Sequence, residues 1–158
     1  MFSKGDRVVY PLYGAGIIAD LEDKVIDGQV STYYVLNMPV TNLKIMVAVN
    51  NADNVGIRPV FPSYKLSEII ENSKDEHLYN PNWNQRYREN MVRIKSGLLS
   101  ETVSVFKSLR QREKDRGLSS AEKKMLTSTR HIILSEIILS FDVEREAAEN
   151  MLEKATEA

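Results

Sequence analysis

"KVIDGQVSTYYVL", residues 24–36, decides how the first part of the chain folds. Two runs rich in β-branched and aromatic residues flank Asp27-Gly28. Asp-Gly readily supplies the two positive φ angles of a type I′ turn, so the stretch predicts a two-residue β-hairpin. Upstream, "DRVVYPLYGAGIIADLE" (6–22) gives a short apolar run, a turn containing Pro11, Gly14 and Gly16, and a second β-rich run. Downstream, "LKIMVAV" (43–49) predicts another strand and "NVGIRPV" (54–60) a last short one. Five short strands in about sixty residues imply a small, strongly bent roll or barrel whose edge strands stay open.

From about Ser63 the apolar period changes to that of a helix. Leu66, Ile69 and Ile70 share one face. Asn80 is placed to cap a second helix, with Pro81 in its first turn, running to about Lys95 and stopping at Gly97. Leu99, Thr102, Val103, Phe106 and Leu109 line a third helix that stops at Gly117. Ser119 and Glu122 have capping-box spacing and open a fourth, to about Phe141. Asp142 is placed to cap a fifth, with Val143, Ala147, Met151 and Leu152 on its apolar side. Strands followed by helices imply an α+β chain, divided as 1–60 and 61–158.

Composition narrows the function. Of 158 residues, 42% are hydrophobic and 27% charged, and there is no cysteine, which removes disulfides and thiolate chemistry and suits a cytoplasmic protein. The N-terminus reads as no signal peptide, and no apolar run is long enough for a bilayer. The two histidines, His77 and His131, have no carboxylate or second histidine at metal-ligand spacing on the same element. "YGAGII" lacks the third glycine of a dinucleotide loop. The expectation is no enzyme, no cofactor, no metal, no membrane and no small-molecule substrate.

The net charge of −1 conceals a segregated distribution. Residues 78–130 hold 12 basic and 5 acidic groups, against 7 and 10 in residues 1–77 and 2 and 7 in residues 131–158. Arg86 and Arg88 lie on the second helix, Lys107, Arg110, Arg112, Lys114 and Arg116 on the third, and Lys123 and Lys124 in the first turn of the fourth. Such a run is either a solvated face, with Glu113 and Asp115 as partners, or a phosphate-binding surface. Trp83, the single tryptophan, has two readings as well. It either caps the bundle core in line with Tyr87, Met91 and Ile94, or projects past the helix end as a wedge beside cations.

Three stretches in order, "KGDRVVYPLYGAG" (4–16), "NWNQRYREN" (82–90) and "RQREKDRGLSSAEKKML" (110–126), resemble the CarD/CdnL family of bacterial transcription regulators. The first alone also resembles the polymerase-interacting domain of transcription-repair coupling factor. The resemblance implies an N-terminal Tudor-like β domain docked on the β subunit of RNA polymerase. It implies a C-terminal helical domain on promoter DNA at the upstream edge of the melted region, without base-specific reading. Trp83 would enter the minor groove at the fork, with Arg86, Arg88, Lys123 and Lys124 on the backbone. The polymerase surface would fall around Lys24 and Val25 and along Lys44, Ile45, Met46 and Val47. Some relatives carry arginine where this chain has Lys24 and Met46, and a basic residue at Gln85. Contact at Met46 would then be apolar or through the backbone, and Gln85 would leave phosphate affinity lower or shifted to Arg110 and Arg112. A protein-interaction adaptor on polymerase without DNA contact is the alternative.

Overall fold

A computed structural model describes residues 1–74 and 81–156. The expectations for Asn80 and His77 lie outside the described residues. Five strands come first: β1 (Arg7–Tyr10), β2 (Gly14–Ile26), β3 (Gln29–Met38), β4 (Leu43–Ala48) and β5 (Arg58–Pro59). They form one antiparallel sheet in the order β4-β3-β2-β1-β5. Asp27 and Gly28 turn the β2–β3 hairpin with φ of 51° and 78°, the two positive angles the dipeptide predicts. The register slips between Ile18 and Asp20, and this bulge adds to the twist that bends the sheet. One face closes over Val8, Ile18, Tyr34, Leu36, Met38 and Val47, sealed by Ala52 and Ile57 from the segment after β4.

Five helices follow: α1 (Ser63–Asn72), α2 (Trp83–Lys95), α3 (Leu99–Asp115), α4 (Ser120–Phe141) and α5 (Arg145–Thr156). The main helical core joins Leu66 and Ile70 of α1, Val103 and Phe106 of α3, Ile133 and Ile137 of α4, and Ala148 and Leu152 of α5. Ile94 of α2 packs separately, against Val105, Leu109, Met125 and Ile132. All five residues expected on the apolar face of α3 are buried.

Two helix ends differ from the sequence expectation. Asn82 caps α2, its side chain accepting from the Asn84 and Gln85 amides, so Trp83 becomes the first helical residue. Asp142 ends α4 instead of starting α5: its left-handed φ of 54° turns the chain, and its N–H returns to the Ile138 carbonyl. Aspartate tolerates that conformation better than most residues, and the two roles look alike in sequence. On α5 the inward alanine is Ala148, while Ala147 is exposed.

The sheet and the bundle meet along α4. Val9 and Ala15 of the sheet pack on Leu139. Ser135 Oγ accepts the Ala15 amide at 2.8 Å. Gly14 lies so close that a Cβ there would stand 2.6 Å from Ser135 Oγ, and its φ is +104°, so the position requires glycine twice over. Glu136 of α4, 1% exposed, accepts two hydrogen bonds from Arg58, at 2.7 and 2.8 Å, and a third from the Phe61 amide at 2.9 Å. Ser140 Oγ donates to the Phe61 carbonyl, and Arg7 donates to the Leu139 carbonyl and pairs with Asp142. An apolar contact alone would let the modules slide. These directional bonds fix their orientation.

Candidate nucleic-acid and polymerase interface

Two helix starts converge at the basic end of the bundle. α2 opens at Trp83 behind the Asn82 cap, and α4 opens behind the Ser119–Glu122 capping box the sequence predicts, with both reciprocal bonds formed. They are tied together by Arg86, one turn into α2. Its guanidinium donates to both Glu122 carboxylate oxygens, Nε at 3.3 Å and Nη2 at 3.0 Å. Arg86 is 7% exposed and Glu122 fully buried.

This overturns the phosphate role expected for Arg86. Its guanidinium is enclosed and neutralised by a carboxylate of its own chain, so it is not presented to an external anion. Arg110 is likewise turned inward, donating to Glu153 and Thr156 of α5. Lys107 donates to the Ile70 and Ser73 carbonyls at the end of α1, where a cation offsets the helix dipole. Arg112 is half-buried and lines a cavity of about 410 Å³ with Arg86, Glu89, Leu109 and Glu122; its Nε and Nη1 are enclosed without an acceptor among the described residues. Trp83, 46% exposed, faces outward, as do Arg88, Lys123 and Lys124; Lys95, Lys114 and Arg116 are exposed as well. Among the described residues Trp83 joins none of the buried clusters, which favours the projecting reading over the core cap.

Burial alone would raise the Glu122 carboxyl, but hydrogen bonds from Arg86 and Ser119 outweigh it and hold the group below its ordinary value. Glu153 is lowered in the same way: Arg130 and Arg110 overcome its burial. A depressed carboxylate stabilises the fold above its unfolded value, and the contribution is lost as pH falls through the lower folded one. Denaturant midpoints should therefore decline as pH drops below the ordinary carboxylate range. Glu122→Gln should flatten part of that slope, and an unchanged slope would remove Glu122 from the acid response. His131 is half-buried; burial, with Arg145 and Arg130 nearby, pushes its imidazole down. Among the described residues no group of histidine and acidic side chains is arranged to hold a metal ion, and no helix is long and apolar enough to cross a membrane.

On the sheet, the β2–β3 hairpin runs past β4. β4 pairs with Tyr33–Met38, leaving the Gln29–Thr32 end of β3 bonded to β2 alone. Lys24 and Val25 are exposed there. β4 is a terminal strand, so its outer row of backbone groups is unpaired within the sheet. Along it Lys44 is exposed and Ile45 and Met46 half-buried. Val47 is 5% exposed and its side chain lies in the sheet core, because side chains alternate along a strand, so at this position β4 offers a partner its backbone and not its side chain. Sequence reasoning also missed Val30, which pairs with Val25; the two are 66% and 70% exposed, and Ile26 joins them. The available signal was the apolar pair Val25-Ile26 directly before the Asp27-Gly28 turn, with Val30 two residues beyond it.

Comparison with known proteins accords with both halves. Residues 2–61 match the family model "CarD-like/TRCF RID domain", and residues 65–153 match "CarD, C-terminal domain". The chain is similar to "Putative transcription factor YdeB" of Bacillus subtilis (strain 168), 34% identical over 140 residues, covering 87% of this chain and 90% of that protein. With both domain models and a relative matched along nearly its whole length, the chain belongs to the CarD family of transcription regulators.

Proposed function

We propose that the protein binds the β subunit of RNA polymerase and stabilises the open promoter complex at the upstream fork, as a binding protein in the cytoplasm and not as an enzyme. Residues 1–60 form the polymerase module. The free edge of β4 adds to a sheet on the partner, with backbone hydrogen bonds for affinity and Lys24, Val25, Lys44, Ile45 and Met46 for register. Residues 61–158 reach the DNA. Arg88, Lys123 and Lys124 hold phosphates in a sequence-independent way, and Trp83 occupies the distorted minor groove and hinders reannealing.

The observation that carries this reading is the exposed indole on the first turn of α2, beside the start of α4 with its lysine pair. An indole 46% exposed beside a lysine pair is placed to meet a base or sugar face while the lysines hold the backbone. Both helix N-termini add partial positive charge at the same place, which favours phosphate. Tethering to polymerase supplies a high local concentration, so the DNA surface need not bind tightly alone.

Reversing Lys123 and Lys124 to glutamate should weaken action on promoter complexes and lower the salt dependence. Each lost phosphate contact removes roughly 0.9 from the slope of log K against log salt. Titration of labelled fork DNA in the polymerase complex measures this, and an unaltered slope would take the pair out of the site. A protein-interaction adaptor without DNA contact predicts instead that photo-crosslinkers at Trp83 capture no fork DNA in the assembled complex.

A further inference from the structure

The Arg86–Glu122 pair has a place in the fold that stability alone does not account for. α2 is held by Ile94, with Met91 and, nearer its start, Tyr87 packed against the same cluster, and by Arg93, which donates to Glu101 at 2.6 Å and to Ser104 at 2.6 Å. Beyond Tyr87, toward the N-terminus, the helix leaves that cluster, and among the described residues Trp83 joins no core cluster. The described anchor of that first turn is Arg86 on Glu122. Glu122 is also the capping residue of α4: Oε1 accepts from the Ser119 amide at 3.3 Å and from its hydroxyl at 3.0 Å. One carboxylate therefore fixes the start of the helix that carries Lys123 and Lys124 and the tilt of the helix that carries Trp83. A buried ion pair is a weak source of net stability compared with an apolar pair of the same volume, but it is far more directional.

We propose that Glu122 is a positioning residue: through Arg86 it sets the direction in which α2 presents Trp83, so that the indole and the lysine pair address one stretch of duplex. The inference rests on the reading of Trp83 as the DNA wedge. Arg86 thus contributes to DNA binding from inside the protein, without touching DNA.

Glu122→Gln isolates the effect. Glutamine has nearly the same size and also serves in a capping box, so the α4 start is retained while Arg86 loses its countercharge. In the free variant, well below its melting transition, time-resolved anisotropy of the single indole should show a larger rapid component than in the parent. In the polymerase–promoter complex, open-complex lifetime should fall several-fold at unchanged polymerase affinity. Glu122→Gln combined with Trp83→Ala should live no shorter than Trp83→Ala alone, because both remove the same interaction. Glu101→Gln, which removes the countercharge of Arg93 toward the other end of α2, is the control for general loosening and should leave the lifetime near that of the parent. Unchanged anisotropy in Glu122→Gln, additive losses in the double variant, or equal effects of Glu101→Gln and Glu122→Gln would each overturn the proposal. No loss of lifetime in Trp83→Ala alone would refute the wedge reading, while the free-protein anisotropy would still decide whether Glu122 orients the indole.

Discussion

Trp83→Ala is expected to shorten the lifetime of the open promoter complex by a factor on the order of ten, with polymerase affinity unchanged. The size follows from base–aromatic stacking, worth about 1–3 kcal/mol, where about 1.4 kcal/mol is tenfold in an equilibrium. The separation of effects follows from the fold. Trp83 lies on α2, whereas the free edge of β4 and the Val25–Val30 hairpin lie on the sheet, beyond the α4 junction. Because Trp83 is 46% exposed and joins no core cluster among the described residues, its loss should shift stability by no more than roughly 0.5 kcal/mol. Decay of heparin-challenged complexes, polymerase pull-down and denaturant unfolding of the free variant together decide the matter. A parallel fall in polymerase affinity, or a large stability loss, would mean that the indole serves the protein's own packing.

The largest stability effect should come from Glu136→Ala. That carboxylate takes both ends of the Arg58 guanidinium and the Phe61 amide while itself 1% exposed. Removing it strands a largely enclosed cation, which also lies over the Phe61 ring at 4.1 Å, and an unpaired amide. Breaking a buried pair from one side typically costs about 3–5 kcal/mol; with Arg58 partly reached by water, the lower end is expected. The check is the denaturant midpoint. A companion variant, Arg58→Met with Glu136→Leu, should recover much of the loss, since no charge is then left uncompensated. A single-variant cost below about 1 kcal/mol, the level of an exposed pair, would show that solvent already reaches the junction.

These expectations separate what was legible in the residues from what was not. The hairpin at Asp27-Gly28, the stops at Gly97 and Gly117, and the Ser119–Glu122 box all formed where the sequence places them. Each depends on groups within a few residues of one another. Glu136 left a trace too, as the one charge inside the apolar run "IILSEIILSF" (132–141), though its partners lie 75 and 78 positions away. The CarD family itself was legible from three short motifs.

By itself, then, the sequence determined the order of strands and helices, most of the turns and caps, and the segregation of positive charge into residues 78–130. Only the tertiary structure decided which of those charges remain outward. Arg86 and Arg88 are indistinguishable on paper, yet one is enclosed on a carboxylate 36 residues away and the other faces solvent. Arg110, Lys107 and Val47 were likewise taken inward by distant partners. Propensity, capping and turn geometry are short-range and are written into neighbouring residues. Burial and ion pairing depend on which helix faces the packing brings together, and that is a property of the whole fold.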